Sequence, residues 1–247
     1  MLWHTYRVLS RKNAPAQRPH GPSLSRLGRH LRYDTLTTMQ LQPTQSEILL
    51  TEDPRRLPSF ADVFHGERPV EIEIGCGKGK FLIARALEEI DINFLGIDVV
   101  WKWMKFGVAR SKKRELSNIR FIKADARELI RFGLASESVS VFHIYFPDPW
   151  PKRRHRKRRL ITGEFMALLH SRLVPNGLIE LATDYEDYYL QMKRAVVQSG
   201  VNWSRVDESA NHRLFDGMRK TNYELKYESA GRTLHYVELE KQNGESP

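Results

Sequence analysis

The apolar positions of this chain fall into short runs divided by polar turns, and their period switches between two and roughly 3.6 residues. Val70, Ile72 and Ile74 alternate with Glu71 and Glu73, which predicts a strand. The chain then turns through Gly75, Gly77 and Gly79 into the helical spacing Phe81, Leu82, Ala84, Leu87. Asn93 to Ile97 is the next strand, and Val99 to Leu116 a helix with the cationic end Lys112, Lys113 and Arg114. Trp101, Trp103 and Phe106 of that helix are expected as core and lid. Ile119 to Ile122 reads as a strand and Ala126 to Phe132 as a helix with Asp125 at its N-cap. Phe142, Ile144 and Phe146 end a further strand. The spacing Phe165, Leu168, Leu169, Leu173 predicts a helix within Leu160 to Val174, stopped by Pro175-Asn176-Gly177. Leu178 to Ala182 follows as strand, and Tyr185 to Gln198 as a helix burying Tyr188, Met192 and Val196. Trp203 to Val206 and Leu234 to Leu239 predict an antiparallel closing pair. Strands alternating with helices imply the α/β class: a Rossmann-like, doubly wound sheet, mostly parallel, with its ligand site at the carboxyl ends of the strands.

Composition adds a tail to that domain. The 247 residues carry a formal net charge of +10 and are 40% hydrophobic, enough for one sizeable core. Residues 1–58 are rich in Arg, Pro, Ser and Gln without clear periodicity and are expected as a basic extension, with 59–247 as the folded domain. Met1 to Tyr33 holds seven basic residues and no acid, and Lys152 to Arg159 seven more, so the rest of the chain sums to −4. Basicity this local points to a directed contact with phosphate. An Arg-rich amino terminus is also the composition of an organellar transit peptide, although an amphipathic repeat is missing; Met39 is an internal candidate start. The cluster Arg26, Arg29, His30, Arg32 groups cations able to grip a phosphate backbone. A single cysteine, Cys76, excludes an intrachain disulfide, and no apolar run approaches the roughly 20 residues of a membrane span. A soluble, reducing, cytoplasmic setting is expected, with no metal site.

The candidate chemistry lies in two stretches. Gly75, Gly77 and Gly79 form a tight turn between strand and helix where backbone approaches a ligand closely. A dinucleotide fingerprint needs glycine at the sixth position, where this chain has Lys80. The spacing instead resembles the nucleotide loop of S-adenosylmethionine-dependent methyltransferases. Asp98, roughly 20 residues on, stands where an acid accepts ribose hydroxyls, and Asp125 with Ala126 stands where a carboxyl or amide reaches an adenine edge. The second stretch is Phe142 to Leu160, in which Pro147, Pro149 and Pro151 stiffen a turn carrying Asp148 and Trp150. A run of seven cations and His155 follows. Lys152, Arg153, Arg154, His155 and Arg158 are candidate contacts to a polyanion, the alternative being a solvated loop.

At FPDPWPKRRHRKRRL the chain resembles the tRNA (guanine-N7-)-methyltransferase family of the bacterial type. The resemblance covers roughly Pro69 to Leu239, through EIGCGKG at Glu73 to Gly79, GID at Gly96 to Asp98, DA at Asp125, ATDYEDYY at Ala182 to Tyr189 and TNYE at Thr221 to Glu224. RLGRHLR at Arg26 to Arg32 matches loosely. The resemblance implies a class I methyltransferase that moves a methyl group from S-adenosyl-L-methionine to nitrogen-7 of a guanine in the tRNA variable loop, working as a monomer or homodimer without an obligate protein partner. It implies cofactor contacts at Glu73, Gly75, Gly77, Gly79, Asp98, Asp125, Ala126 and Asp148, with Asp148 also catalytic. RNA contacts are implied at Lys152, Asp184, Thr221, Asn222, Tyr223 and Glu224; the family usually has Lys where Asn222 stands. The competing readings are an RNA amino-group methyltransferase and a non-catalytic RNA-binding module.

Overall fold

A computed structural model describes residues 48–49, 57–208 and 221–243; the arginine cluster between Arg26 and Arg32, and all of the basic extension except 48–49 and 57–58, lie outside them. Among the described residues eight strands form one sheet: β1 (Ile48–Leu49), β2 (Val70–Ile74), β3 (Asn93–Asp98), β4 (Ile119–Lys123), β5 (Val139–Tyr145), β6 (Leu173–Thr183), β7 (Trp203–Asp207) and β8 (His235–Lys241). Their order is β1-β4-β3-β2-β5-β6-β8-β7. Every pairing from β1 to β6 is parallel, and β8 closes antiparallel to both β6 and β7. From β2 the chain winds outward through β3 to β4, then crosses back to lay β5 on the other side of β2. The strand order therefore reverses between β2 and β5, the place where open α/β sheets form a crevice at the strands' carboxyl ends.

Among the described residues seven α-helices accompany the strands: α1 (Phe60–Phe64), α2 (Lys80–Glu88), α3 (Trp101–Lys113), α4 (Ala126–Phe132), α5 (Gly163–Arg172), α6 (Glu186–Gln198) and α7 (Asn222–Ser229). Val70, Ile72 and Ile74 pack one face of β2 into a core shared with α1, α4, α5 and α6. On the other face Leu82, Ile83 and Ala86 of α2 and Met104 and Val108 of α3 enclose Phe94, Ile119 and Phe121. The side chains of β2 alternate as the sequence predicts, yet all five of its residues are buried. Its polar face is covered by α2, which closes Glu71 and Glu73 away from water.

Two other elements differ from the sequence reading. Pro175-Asn176-Gly177 does not separate helix from strand, because α5 ends at Arg172 and the extended chain of β6 begins at Leu173. Asn176 takes φ 60°, and the register jumps from Val139 opposite Leu173 to Val141 opposite Leu178, so the three residues bulge out of a continuing strand. Trp101, Trp103 and Phe106 are not core: they are 39%, 42% and 44% exposed. The buried stripe of α3 is Met104, Gly107, Val108 and Ser111, since the four-residue step inward selects small and flexible side chains over the tryptophans.

Candidate active site

The glycine loop sits at the carboxyl end of β2 and is tied to β3 by its backbone. Gly75 and Cys76 both donate to the Ile97 carbonyl, at 2.8 and 3.1 Å, and Gly79 donates to Cys76 at 2.7 Å. Gly79 caps α2 at φ 63°, and a Cβ there would stand 2.9 Å from the Phe121 ring. Only glycine satisfies both the left-handed backbone and that contact. Gly75, at φ 82°, is different: a Cβ would meet nothing within 4 Å, so the loop turns an open backbone surface toward the crevice. Cys76 is a packed spacer, 5% exposed, and burial pushes its thiol well above the ordinary value.

Asp98 ends β3 and fixes this loop. One carboxylate oxygen accepts the Gly77 amide at 2.8 Å and the other accepts Val100 at 2.7 Å. Glu73 lies at the carboxyl end of β2, 5% exposed, with Oε2 buried and unpartnered. Burial first, with the nearby Asp98 charge adding, pushes its carboxyl up to about 8, against the opposing His143 charge. An orphaned buried acid beside an open glycine loop fits a ligand bearing polar and cationic groups. Asp125 caps α4, accepting the Arg127 amide at 2.8 Å, and Ala126 is buried beside it.

Asp148 projects from the adjacent strand end. Phe146 and Trp150, both non-glycine residues, take φ 51° and 41°, a strained backbone that the surroundings must hold in place. Phe146 donates its amide to Ala182 on β6 at 2.8 Å. Arg159, 1% exposed, closes the turn from below: Nε donates to the Pro149 carbonyl at 2.7 Å, Nη2 to Asp187 at 2.6 Å and Nη1 to Gln191 at 2.7 Å. Asp148 itself is exposed. The basic block folds as a short 3-10 helix over Arg153–Arg158, following Lys152. The Arg158 guanidinium lies 4.9 Å from the Trp150 ring and His155 meets the same ring edge-on at 5.8 Å. Arg156 pairs with Asp187 at 3.2 Å. Among the described residues no carboxylate lies in ion-pair range of Lys152, Arg153, Arg154, Lys157 or Arg158.

Asp184 follows β6 at the same edge and pairs with Arg232. Burial first, then the charges of Asp184 and Asp148, push the Tyr227 hydroxyl above its ordinary value. Tyr227 joins Phe146 at 5.5 Å and Tyr223 at 5.9 Å in an aromatic cluster, with Tyr223 55% exposed. Thr221 and Glu224, expected as RNA contacts, have a structural role. They form a capping box for α7: Glu224 donates its amide to Thr221 Oγ1 at 3.0 Å, and the Thr221 amide donates to Glu224 Oε2 at 3.2 Å. Glu224 is fully buried and accepts Tyr236 Oη at 2.8 Å. The T-x-x-E spacing was the available signal for this structural role. Reading motifs alone also missed Phe146 and Tyr227, whose partners lie some 80 residues apart in sequence, and the clamp at Arg159, which looks like one more cation in a run.

The fold is that of a Rossmann-like class I methyltransferase. The 16S rRNA methyltransferase KamB superposes with a TM-score of 0.53 at 15% identity, over 76% of this chain and 93% of that one. An antibiotic-related methyltransferase gives 0.52 at 20%, over 74% of this chain and 92% of that one. A family model described as a putative methyltransferase matches residues 67–237. The tRNA (guanine-N(7)-)-methyltransferase of Rubrobacter xylanophilus is 34% identical over 192 residues, 77% of this chain and 85% of that protein. The enzyme of the same name from Geobacter metallireducens is 32% identical over 199 residues, 79% and 93%. That of Bordetella pertussis is 43% identical over 139 residues, 56% of this chain and 54% of its own length, so that match spans about half of the relative. The chain belongs to the tRNA (guanine-N(7)-)-methyltransferase family.

Proposed function

We propose that this protein methylates nitrogen-7 of a guanine in the variable loop of tRNA, with S-adenosyl-L-methionine as methyl donor. The observation that carries the reading is the position of Asp148: exposed on a clamped proline turn at the reversal of strand order, with the glycine loop on one side and unpaired cations on the other. Glu73, Gly75, Gly77, Asp98, Asp125 and Ala126 would hold the cofactor, which supplies an electrophilic methyl group when bound. Guanine nitrogen-7 has a lone pair and no proton, so transfer needs alignment more than a base. The base becomes cationic as the new bond forms. Asp148 stabilises that developing charge, or orients the guanine through its ring NH and amino donors. Tyr223, at the exposed edge of the Phe146 and Tyr227 cluster, offers a face on which the base stacks. The cations from Lys152 to Arg158 position the RNA backbone and carry no base information. Thr221 and Glu224 support this surface by building α7.

Nucleoside mass spectrometry of tRNA incubated with the protein and cofactor tests the reading, because it reports both base and atom. The expected product is 7-methylguanosine; a methyl on an exocyclic amine would overturn the assignment of the atom. Asp148→Asn is expected to lower turnover far more than tRNA affinity, since the amide keeps the shape and loses the charge that matches the cationic product. Equal losses in both would reduce Asp148 to a binding role.

A further inference from the structure

Helix α3 begins three residues after Asp98 and turns outward a stripe of aromatic and basic side chains. Trp103, Phe106, Arg110 and Lys113 follow the i, i+3, i+7, i+10 spacing of one helix face, and Lys102, Lys105 and Lys112 run beside them. The helix Trp101–Lys113 carries five cations and no acid. Lys78, from the glycine loop, places Nζ 4.9 Å from the Trp103 ring and 5.7 Å from Phe106. Lys102 lies 5.3 Å from Trp103 and Lys105 5.5 Å from Phe106. The opposite face of α3 is already buried against β4, so these aromatics are not spare core.

Exposed rings interleaved with lysines are what a single strand of nucleic acid binds: bases stack on the rings while ammonium groups meet the phosphates. Lysine is depleted in protein–protein interfaces, which weighs against a protein occupant. The stripe also starts at the rim of the candidate site. We propose that the α3 face, centred on Trp103 and Phe106, is a second docking surface for unpaired nucleotides of the RNA substrate, separate from the basic turn. This rests on the RNA reading of the site.

The test compares Trp103→Ala, Trp103→Phe and the double change Lys102→Ser with Lys105→Ser in the full chain. It measures tRNA affinity at several salt concentrations, S-adenosylhomocysteine affinity by calorimetry, and wild-type methylation alongside. Trp103→Ala should weaken tRNA binding roughly tenfold, as expected when one base no longer stacks, with Trp103→Phe recovering most of it. The lysine change should flatten the log-log salt dependence by roughly 0.7 for each phosphate no longer neutralised. Cofactor-product affinity should stay at the parental value. Parental tRNA affinity in Trp103→Ala and in the lysine variant overturns the surface, as it also would if those variants instead lost self-association or binding to anionic vesicles. If tRNA goes unmethylated by the wild type while Trp103→Ala still weakens its binding, the docking surface stands and the reaction assignment falls.

Discussion

Beneath α2, five polar side chains are buried and bonded to one another, while at the rim the turn Lys152–Arg158 leaves most of its cations in water. In the buried set Arg85 Nη2 donates to Glu71 at 2.7 Å, and His143 reaches Glu71 and Glu180 at 3.0 Å each. Tyr145 donates to Glu180 as well. Phe81 seals the site edge-on against His143 at 4.9 Å and Tyr145 at 5.0 Å. The difference follows from solvation. A charge taken out of water is costly unless its partners come with it, so an acid on one strand needs a cation on another, and the network locks β2, β5, β6 and α2 together. Exposed cations on one short turn need no internal partner, and their mutual repulsion is relieved by an outside polyanion.

Removing His143 should produce the largest effect. Both ring nitrogens face carboxylates, and although burial alone disfavours the charged ring, Glu180 and Glu71 raise its pKa from 6.5 to about 9. The folded state therefore holds a proton that the unfolded chain releases near 6.5. This contribution is complete below pH 6.5 and lost as pH rises through 9. Glu73 acts in the same direction, keeping its proton in the fold up to about pH 8 while the unfolded carboxyl ionises near 4.5. Stability of the wild type should thus fall from pH 6.5 to 9. His143→Gln removes the cation between Glu71 and Glu180, leaving Glu71 to Arg85 and Glu180 to the Tyr145 hydroxyl, and should cost about 3–5 kcal/mol at pH 6.5, with a smaller fall toward pH 9. Urea unfolding of both proteins at the two pH values checks this; a wild type equally stable at both would remove the imidazolium from the account.

Arg159 belongs to the buried class although its sequence places it in the exposed one. Arg159→Met keeps the bulk and loses the hydrogen bonds to Pro149, Asp187 and Gln191, so about 2–3 kcal/mol of stability should go. Turnover should fall with the loosened Asp148 turn, while the salt dependence of tRNA binding stays parental; a changed slope would return Arg159 to the RNA-facing set. Asp98→Ala frees the Gly77 and Val100 amides and removes the candidate ribose acceptor. S-adenosylhomocysteine affinity should drop by at least the roughly 1.5–3 kcal/mol of one charge-assisted bond, and unchanged affinity in calorimetry would place the cofactor elsewhere.

The strands and helices of the sheet were legible because period and turn chemistry are local: Asp125 caps α4 as expected, and Tyr188, Met192 and Val196 are buried as expected. The two-residue strand Ile48–Leu49, paired with Phe121 and Ile122, is too short to leave a period. The buried network was hidden for another reason. Val70 to Ile74 reads the same whether its glutamates face water or a covering helix, and only the tertiary position of Arg85 and His143 decides. At the site, the glycine loop, Asp98 and the proline turn were visible as motifs. Thr221 and Glu224 were visible too, but their residue types serve a cap as well as a ligand, and the structure shows the cap, with Tyr236 bonded to Glu224.

The smallest effect on stability, and the sharpest separation of the two regions, should come from the basic turn. Arg154, Lys157 and Arg158 are exposed, whereas Arg156 shares Asp187 with Arg159. Changing Arg154, Lys157 and Arg158 to Ser should leave the unfolding free energy within about 0.5 kcal/mol of the parent, because no buried partner is stranded. Cation release makes RNA affinity fall with salt by a log-log slope of roughly 0.7 to 0.9 per phosphate neutralised, so up to three such increments should disappear. Binding of S-adenosylhomocysteine should not change, since Asp98 and the glycine loop are untouched. Arg156→Ser alone should flatten the slope less than Arg154→Ser, as Asp187 already holds part of its charge. A triple variant with the parental slope would mean the turn is merely solvated, and that the phosphates are met by other cations of the chain.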